Sequence, residues 1–132
     1  MVHRSEFERI KRVVAQIADS NGARQAIVFG SYARGTATRH SDLDVLIIED
    51  TSLPFLKRID RYFDPLVERL GLAMDVLVYT PEEMETIKHR PFIQAALKEG
   101  IVVYESRTRR RSARASPESP ASRNPARSSP PR

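Results

Sequence analysis

The stretch Gln25-Ala26-Ile27-Val28-Phe29-Gly30-Ser31, followed after ten residues by Asp42-Leu43-Asp44-Val45-Leu46-Ile47-Ile48, decides how this chain is read. The first run is an apolar strand that closes on Gly-Ser. The second is apolar on both faces beyond its acids, as a central strand is. Side chains alternate along a strand, so Asp42 and Asp44 fall on the same side, where two carboxylates can converge on one divalent cation. A third acid, Asp75, lies within Ala73-Met74-Asp75-Val76-Leu77-Val78-Tyr79. An acid inside so apolar a run carries a large desolvation cost unless it is paired or bound to a metal. Three carboxylates are therefore expected around a phosphate-sized gap. Gly30 lets the backbone come close to a phosphate, and the Ser31 hydroxyl with neighbouring amides can donate to its oxygens. A lone Gly-Ser is ordinary punctuation, and a lone Asp-x-Asp is commonly a solvated strand end; their order and spacing together carry the reading.

Outward from this core the period and punctuation predict the order α-β-α-β-α-β-α-α-β. Ser5 with Glu8 reads as a capping box ahead of a stripe of Phe7, Ile10, Val14 and Ile17, which Gly22 stops. Leu56, Ile59, Phe63, Leu66 and Leu70 outline a helix after Pro54, with Pro65 expected to kink or divide it. Thr80-Pro81-Glu82-Glu83 supplies a cap, a first-turn proline and an acid at the third position. Pro91 restarts the helix, Gly100 ends it, and Ile101-Val102-Val103-Tyr104 forms a last strand.

A chain of 132 residues is expected to hold one folded domain, assigned to 1–106, with a separate tail at 107–132. The charge divides in the same place. The whole chain has 22 Lys and Arg and 17 Asp and Glu; the tail takes eight of the former and one of the latter, +7, leaving 14 against 16, or −2, in residues 1–106. Five of the nine prolines are in the tail, which has no large apolar side chain and is expected to be disordered. Nucleic acid is a possible partner only through these arginines. The absence of cysteine excludes disulfides and thiolate chemistry, leaving oxygen ligands and hard cations such as Mg²⁺. No run reaches the length of a membrane span and the charged N-terminus is unlike a signal peptide, so a cytoplasmic location is expected.

Phe29-Gly30-Ser31-Tyr32-Ala33-Arg34-Gly35-Thr36, Ser41-Asp42-Leu43-Asp44-Val45-Leu46, Met74-Asp75-Val76 and Lys98-Glu99-Gly100-Ile101-Val102-Val103-Tyr104 together resemble the minimal nucleotidyltransferase (MNT) domains of the DNA-polymerase-β-like nucleotidyltransferase superfamily. The resemblance covers about residues 5–105. It implies an α+β nucleotidyltransferase fold, a mixed sheet with helices packed on one side. It also implies ATP held at Gly30 and Ser31, and two Mg²⁺ held by Asp42, Asp44 and Asp75 as the catalytic acids, with Asp75 on the nucleophile side. Arg34 and Arg39 flank the turn and are candidates to neutralise phosphate charge. His40 and His89 are given no chemistry.

The resemblance is closest to the MNT antitoxins paired with HEPN toxins. It implies an enzyme that transfers AMP to a hydroxyl of a partner protein, a tyrosine of a HEPN-type toxin, because the folded unit has little room for a substrate domain of its own. The competing readings are a non-catalytic module that neutralises its partner by occlusion, and a nucleotidyltransferase acting on a small molecule or nucleic acid. An intact Gly-Ser turn and all three acids favour the enzyme. For the tail, truncation after residue 106 is expected to leave the thermal midpoint essentially unchanged; a markedly lower midpoint in differential scanning calorimetry would show that residues 107–132 pack on the domain.

Overall fold

Strand β2 (Leu43–Ile48) lies between two neighbours of opposite sense. It pairs antiparallel with β1 (Gln25–Phe29) and parallel with β3 (Met74–Tyr79), while β4 (Ile101–Glu105) pairs antiparallel on the far edge of β1. The order across the mixed sheet is β3-β2-β1-β4. The structure, a computed structural model, describes residues 2–107; the tail expected to be disordered lies almost wholly outside the described residues. The helices are α1 (Arg4–Asn21), α2 (Gly30–Arg34), α3 (Phe55–Leu70), α4 (Pro81–Ile87) and α5 (Pro91–Glu99), in the expected alternation with the strands. Helix α3 makes the crossover that a parallel β2–β3 pair requires. Among the described residues no helix is long and apolar enough to cross a membrane.

The expected α+β nucleotidyltransferase architecture with its mixed sheet is present, but the helices do not pack on one side only as expected: because residues of both parities along β1 and β2 are apolar, α1 and α3 cover one face and α4 and α5 part of the other. Ala26 and Val28 of β1 with Leu43, Val45 and Ile47 of β2 face α1 and α3 in the larger core. The alternate residues Ile27, Phe29 and Leu46 meet Met84 and Ile87 of α4 and Ile93 and Ala96 of α5 in a smaller one. Both faces of the central strands are thus buried, which is why their sequences run apolar without alternation.

Several local devices differ from the sequence reading. Helix α1 starts two residues earlier than a Ser5 cap requires: His3 is the N-cap, its Nδ1 accepting from the Ser5 amide, and Glu8 pairs with Lys11 at 3.0 Å instead of closing a capping box. Pro65 does not divide α3. The proline cannot donate to the Arg61 carbonyl one turn back, and Asn21 Nδ2 donates to that carbonyl instead, at 3.0 Å. The buried stripe of α3 is also displaced: Arg58, Tyr62 and Leu66 are inside while Leu56 is 74% exposed. The polar tips of Arg58 and Tyr62 carry their partners in with them. Arg58 donates to Glu83 at 2.7 and 3.1 Å, to the Leu53 carbonyl at 2.7 Å and to the Val78 carbonyl at 3.3 Å. Tyr62 donates to buried Glu49, which also pairs with Arg61. The Thr80–Glu83 capping box forms as read, so Glu83 both caps α4 and binds Arg58.

Tyr62→Phe keeps the packing volume but removes a donor from a buried carboxylate, an imbalance that typically costs about 1–3 kcal/mol. A corresponding fall in the urea midpoint with an unchanged slope is expected, whereas an unchanged midpoint would show that Glu49 is satisfied without the phenol.

Candidate functional site

The strand register places the acids. Phe29 of β1 stands opposite Asp44 of β2, and Asp44 stands opposite Asp75 of β3, so the Gly-Ser turn and two carboxylates meet at one end of three adjacent strands. Asp42 precedes β2 by one residue and shares the side of Asp44. Its approach is set by a small loop motif, in which the Thr38 amide donates to Ser41 Oγ at 2.8 Å and the Ser41 amide to the Thr38 carbonyl at 3.1 Å. All three acids therefore lie on the sheet face that α4 and α5 cover only in part.

Gly30 is held to a geometry that other residues strain to adopt. Its φ is +73°, and a Cβ added there would lie 2.2 Å from Asp44 Oδ2. The turn thus sits directly against the carboxylate. On its other side the Gly30 amide donates to Glu99 Oε2 at 3.1 Å, and Arg34 Nη1 donates to both Glu99 oxygens at 3.2 Å. Gly100 makes that reach possible. A Cβ on Gly100 would lie 2.4 Å from the Ala96 carbonyl oxygen and 2.5 Å from Ile27 Cγ2, so α5 can end tight against β1 only with glycine there.

These groups line one open cleft of about 640 Å³, with Gly30, Ser31, Arg34, Asp42, Asp44, Asp75 and Glu99 on its polar side and Phe29, Leu77, Phe92 and Ala95 on its apolar side. Phe92 is 57% exposed and meets Phe29 edge-on, with ring centroids 5.7 Å apart. Of the sequence-derived site residues, Gly30, Ser31, Arg34, Asp42, Asp44 and Asp75 are brought together here. Arg39 is exposed in the α2–β2 loop and does not line the cleft. Glu99 was part of the recognised motif without a role, since only the tertiary contact of α5 with β1 shows what it touches. Phe92, one residue after a helix-starting proline, carried no signal in sequence.

The desolvation cost expected at Asp75 falls on Asp44 instead. Asp75 is exposed at the open end of β3, and Asp44, on the central strand, bears the burial. Burial pushes the Asp44 carboxyl up to about 6, helped by the charges of Asp75 and Asp42 and a hydrogen bond with Asp75, and opposed by Arg34. Among the described residues no three acids converge into a ready-made metal cage. The donor chemistry nevertheless fits a hard divalent cation: the donors are carboxylate oxygens, and Asp44 and Asp75 are already within hydrogen-bonding reach. A bound cation would relieve the repulsion among Asp42, Asp44 and Asp75.

Residues 8–104 match the family model for a nucleotidyltransferase domain. A protein of Methanocaldococcus jannaschii named "putative protein adenylyltransferase" is 33% identical over 102 residues, covering 76% of this chain and 99% of its own length. A second protein of that organism with the same designation is 42% identical over 75 residues, which is 55% of this chain and 77% of that protein. Two solved structures share the fold. A toxin–antitoxin complex with AMP-PNP aligns at a TM-score of 0.56 and 17% identity, over 75% of this chain and 76% of that one. A complex of tri-AMPylated Shewanella oneidensis HEPN toxin with MNT antitoxin aligns at 0.53 and 14%, over 80% and 77%.

The Asp44 shift sets a sign for stability. An acid whose pKa is raised by folding stabilises the fold below its unfolded value, 3.8, and that contribution is lost as pH rises through about 6. Asp44→Asn is therefore expected to raise the thermal midpoint of the metal-free protein at about pH 8, the gain shrinking toward about pH 5. A midpoint difference that does not vary with pH across that range would show that Asp44 is not the strained acid.

Proposed function

Because the chain belongs to the nucleotidyltransferase domain family, we propose that it transfers AMP from ATP to a hydroxyl, a tyrosine, of a partner protein, and that it serves as the antitoxin of a HEPN-type toxin. The observation that carries this reading is that Asp42, Asp44 and Asp75 line one open cleft together with the Gly30–Ser31 turn. The designation of the archaeal relatives as adenylyltransferases of proteins supports a protein acceptor. The AMP-PNP complex and the AMPylated HEPN toxin among the structures sharing the fold support ATP and the toxin partner.

Each residue has a part that its position supports. Gly30, lacking a side chain, lets triphosphate oxygens approach the turn, and the Ser31 hydroxyl donates to them. Arg34 offers a guanidinium from the edge of the cleft. Asp42, Asp44 and Asp75 would hold Mg²⁺, in two sites, and the cation when bound would neutralise triphosphate charge and lower the pKa of the attacking hydroxyl. Asp75, exposed at the outer strand, faces the acceptor and takes its proton. The acceptor oxygen then forms a bond to the α-phosphorus, the bond from that phosphorus to the bridging oxygen breaks, and pyrophosphate leaves with the electron pair. The base lies along the apolar wall of Phe29, Leu77 and Phe92.

Intact-mass spectrometry of the HEPN partner incubated with this protein, ATP and Mg²⁺ is expected to show the added mass of AMP, once or more. Asp42→Asn and Asp44→Asn should each abolish the adduct while circular dichroism stays that of the parent, since an amide lacks the charge that binds the cation. Undiminished neutralisation of the partner by either variant, with no adduct from the parent, would replace the enzyme with an occluding module.

A further inference from the structure

Among the described residues, the cleft is lined by four carboxylates and one cation, Arg34, and that cation is already paired. Glu99 accepts from Arg34 through both oxygens at 3.2 Å and from the Gly30 amide at 3.1 Å. Those are two of the donors, beside the Ser31 hydroxyl, that an incoming phosphate would use at this turn. A carboxylate has the charge and the planar acceptor pair of a phosphate edge, so Glu99 stands where a phosphate oxygen would stand.

We propose that Glu99 is a specificity-determining residue that makes triphosphate binding depend on the divalent cation, by occupying Arg34 and the Gly30 amide until a metal-bound triphosphate displaces it. This rests on the nucleotide reading above. Without a cation, a triphosphate meets three aspartates and finds two of its donors already engaged, so it binds weakly. With a cation, the aspartates become an attraction and the exchange at Arg34 is favourable. The exchange is feasible because the pair is only partly buried: the side chains of Arg34 and Glu99 are 52% and 31% exposed, and pairs of that kind hold weakly. Gly100 lets the end of α5 sit tight against Ile27, which keeps the Glu99 backbone beside the turn so that its carboxylate competes with an incoming anion there.

The test is calorimetric titration of ATP, and separately of inorganic tripolyphosphate, into parent, Glu99→Gln and Glu99→Ala, each with excess chelator and with excess Mg²⁺. Glutamine preserves the shape and an acceptor oxygen while removing the charge, and alanine serves if glutamine perturbs the thermal midpoint. Metal-free affinity is expected to rise about tenfold in the variants for both probes, roughly what one charge-assisted contact supplies, while affinity with Mg²⁺ changes less. The ratio between the two conditions therefore narrows. Adding Arg34→Ala to Glu99→Gln should erase the gain, because Glu99 acts through that guanidinium. Metal-free affinity that is unchanged or weaker in both variants, or a gain that survives Arg34→Ala in full, overturns the proposal and leaves the nucleotide reading intact. A parent protein that takes up no ATP even with Mg²⁺ overturns both.

Discussion

The contact between the Gly30 backbone and the Asp44 carboxylate is the constraint on which the rest of the site depends. Gly30 lies so close to Asp44 that a methyl group would have to overlap the carboxylate oxygen. That closeness requires β1 and β2 to be hydrogen-bonded neighbours in the register that sets Phe29 opposite Asp44, and it requires a backbone with positive φ at the first residue past the strand. The same register, carried one strand further, sets Asp75 beside Asp44. One sheet pairing thus fixes a turn open to phosphate and an acid pair within a few ångströms of it. Slipping β2 by a single residue would turn Asp44 into the α1–α3 core and empty the cleft of its acids.

The site is arranged at some cost to the fold. Asp44 is pressed into a partly apolar setting beside Asp75 and Asp42, and its raised pKa measures how poorly the charged form is accommodated without a cation. The smaller core under α4 and α5 leaves the acid end of the sheet uncovered, while the larger core under α1 and α3 is closed. Paired polar groups gather at the other end of β2, where buried Glu49 binds Tyr62 and Arg61 and where Arg58 joins α3 to the cap of α4. Strained chemistry at one end of the central strand and satisfied polar pairs at the other is the distribution expected when a small fold carries a charged site.

Much of this was readable from residue types. The apolar runs, the Gly-Ser ending, the Asp-x-Asp and the Thr80–Glu83 box each act through neighbours close in sequence, and each formed as its local chemistry requires. The errors share a cause. Ser5 lost the cap to His3 because the helix starts before it, with the imidazole nitrogen accepting from the Ser5 amide. Pro65 was tolerated because Asn21, from a different helix, donates to the carbonyl that the proline leaves unpaired. The stripe of α3 moved because Arg58 and Tyr62 found carboxylate partners outside the helix, Glu83 and the buried Glu49.

What the sequence determined by itself is therefore the element order, the two acids of one strand and the glycine that must precede a close approach, since periodicity and backbone sterics act over a few residues. Only the tertiary structure decided which acid bears the burial, that Asp75 is open while Asp44 is strained, that Arg39 stays outside the cleft, and that Glu99 reaches Arg34 and the Gly30 amide. Desolvation and ion pairing depend on what is packed nearby. For Glu99 that neighbour is 69 residues away along the chain, brought close by the pairing of β1 with β4 and by a glycine at position 100 small enough to let α5 end against the sheet.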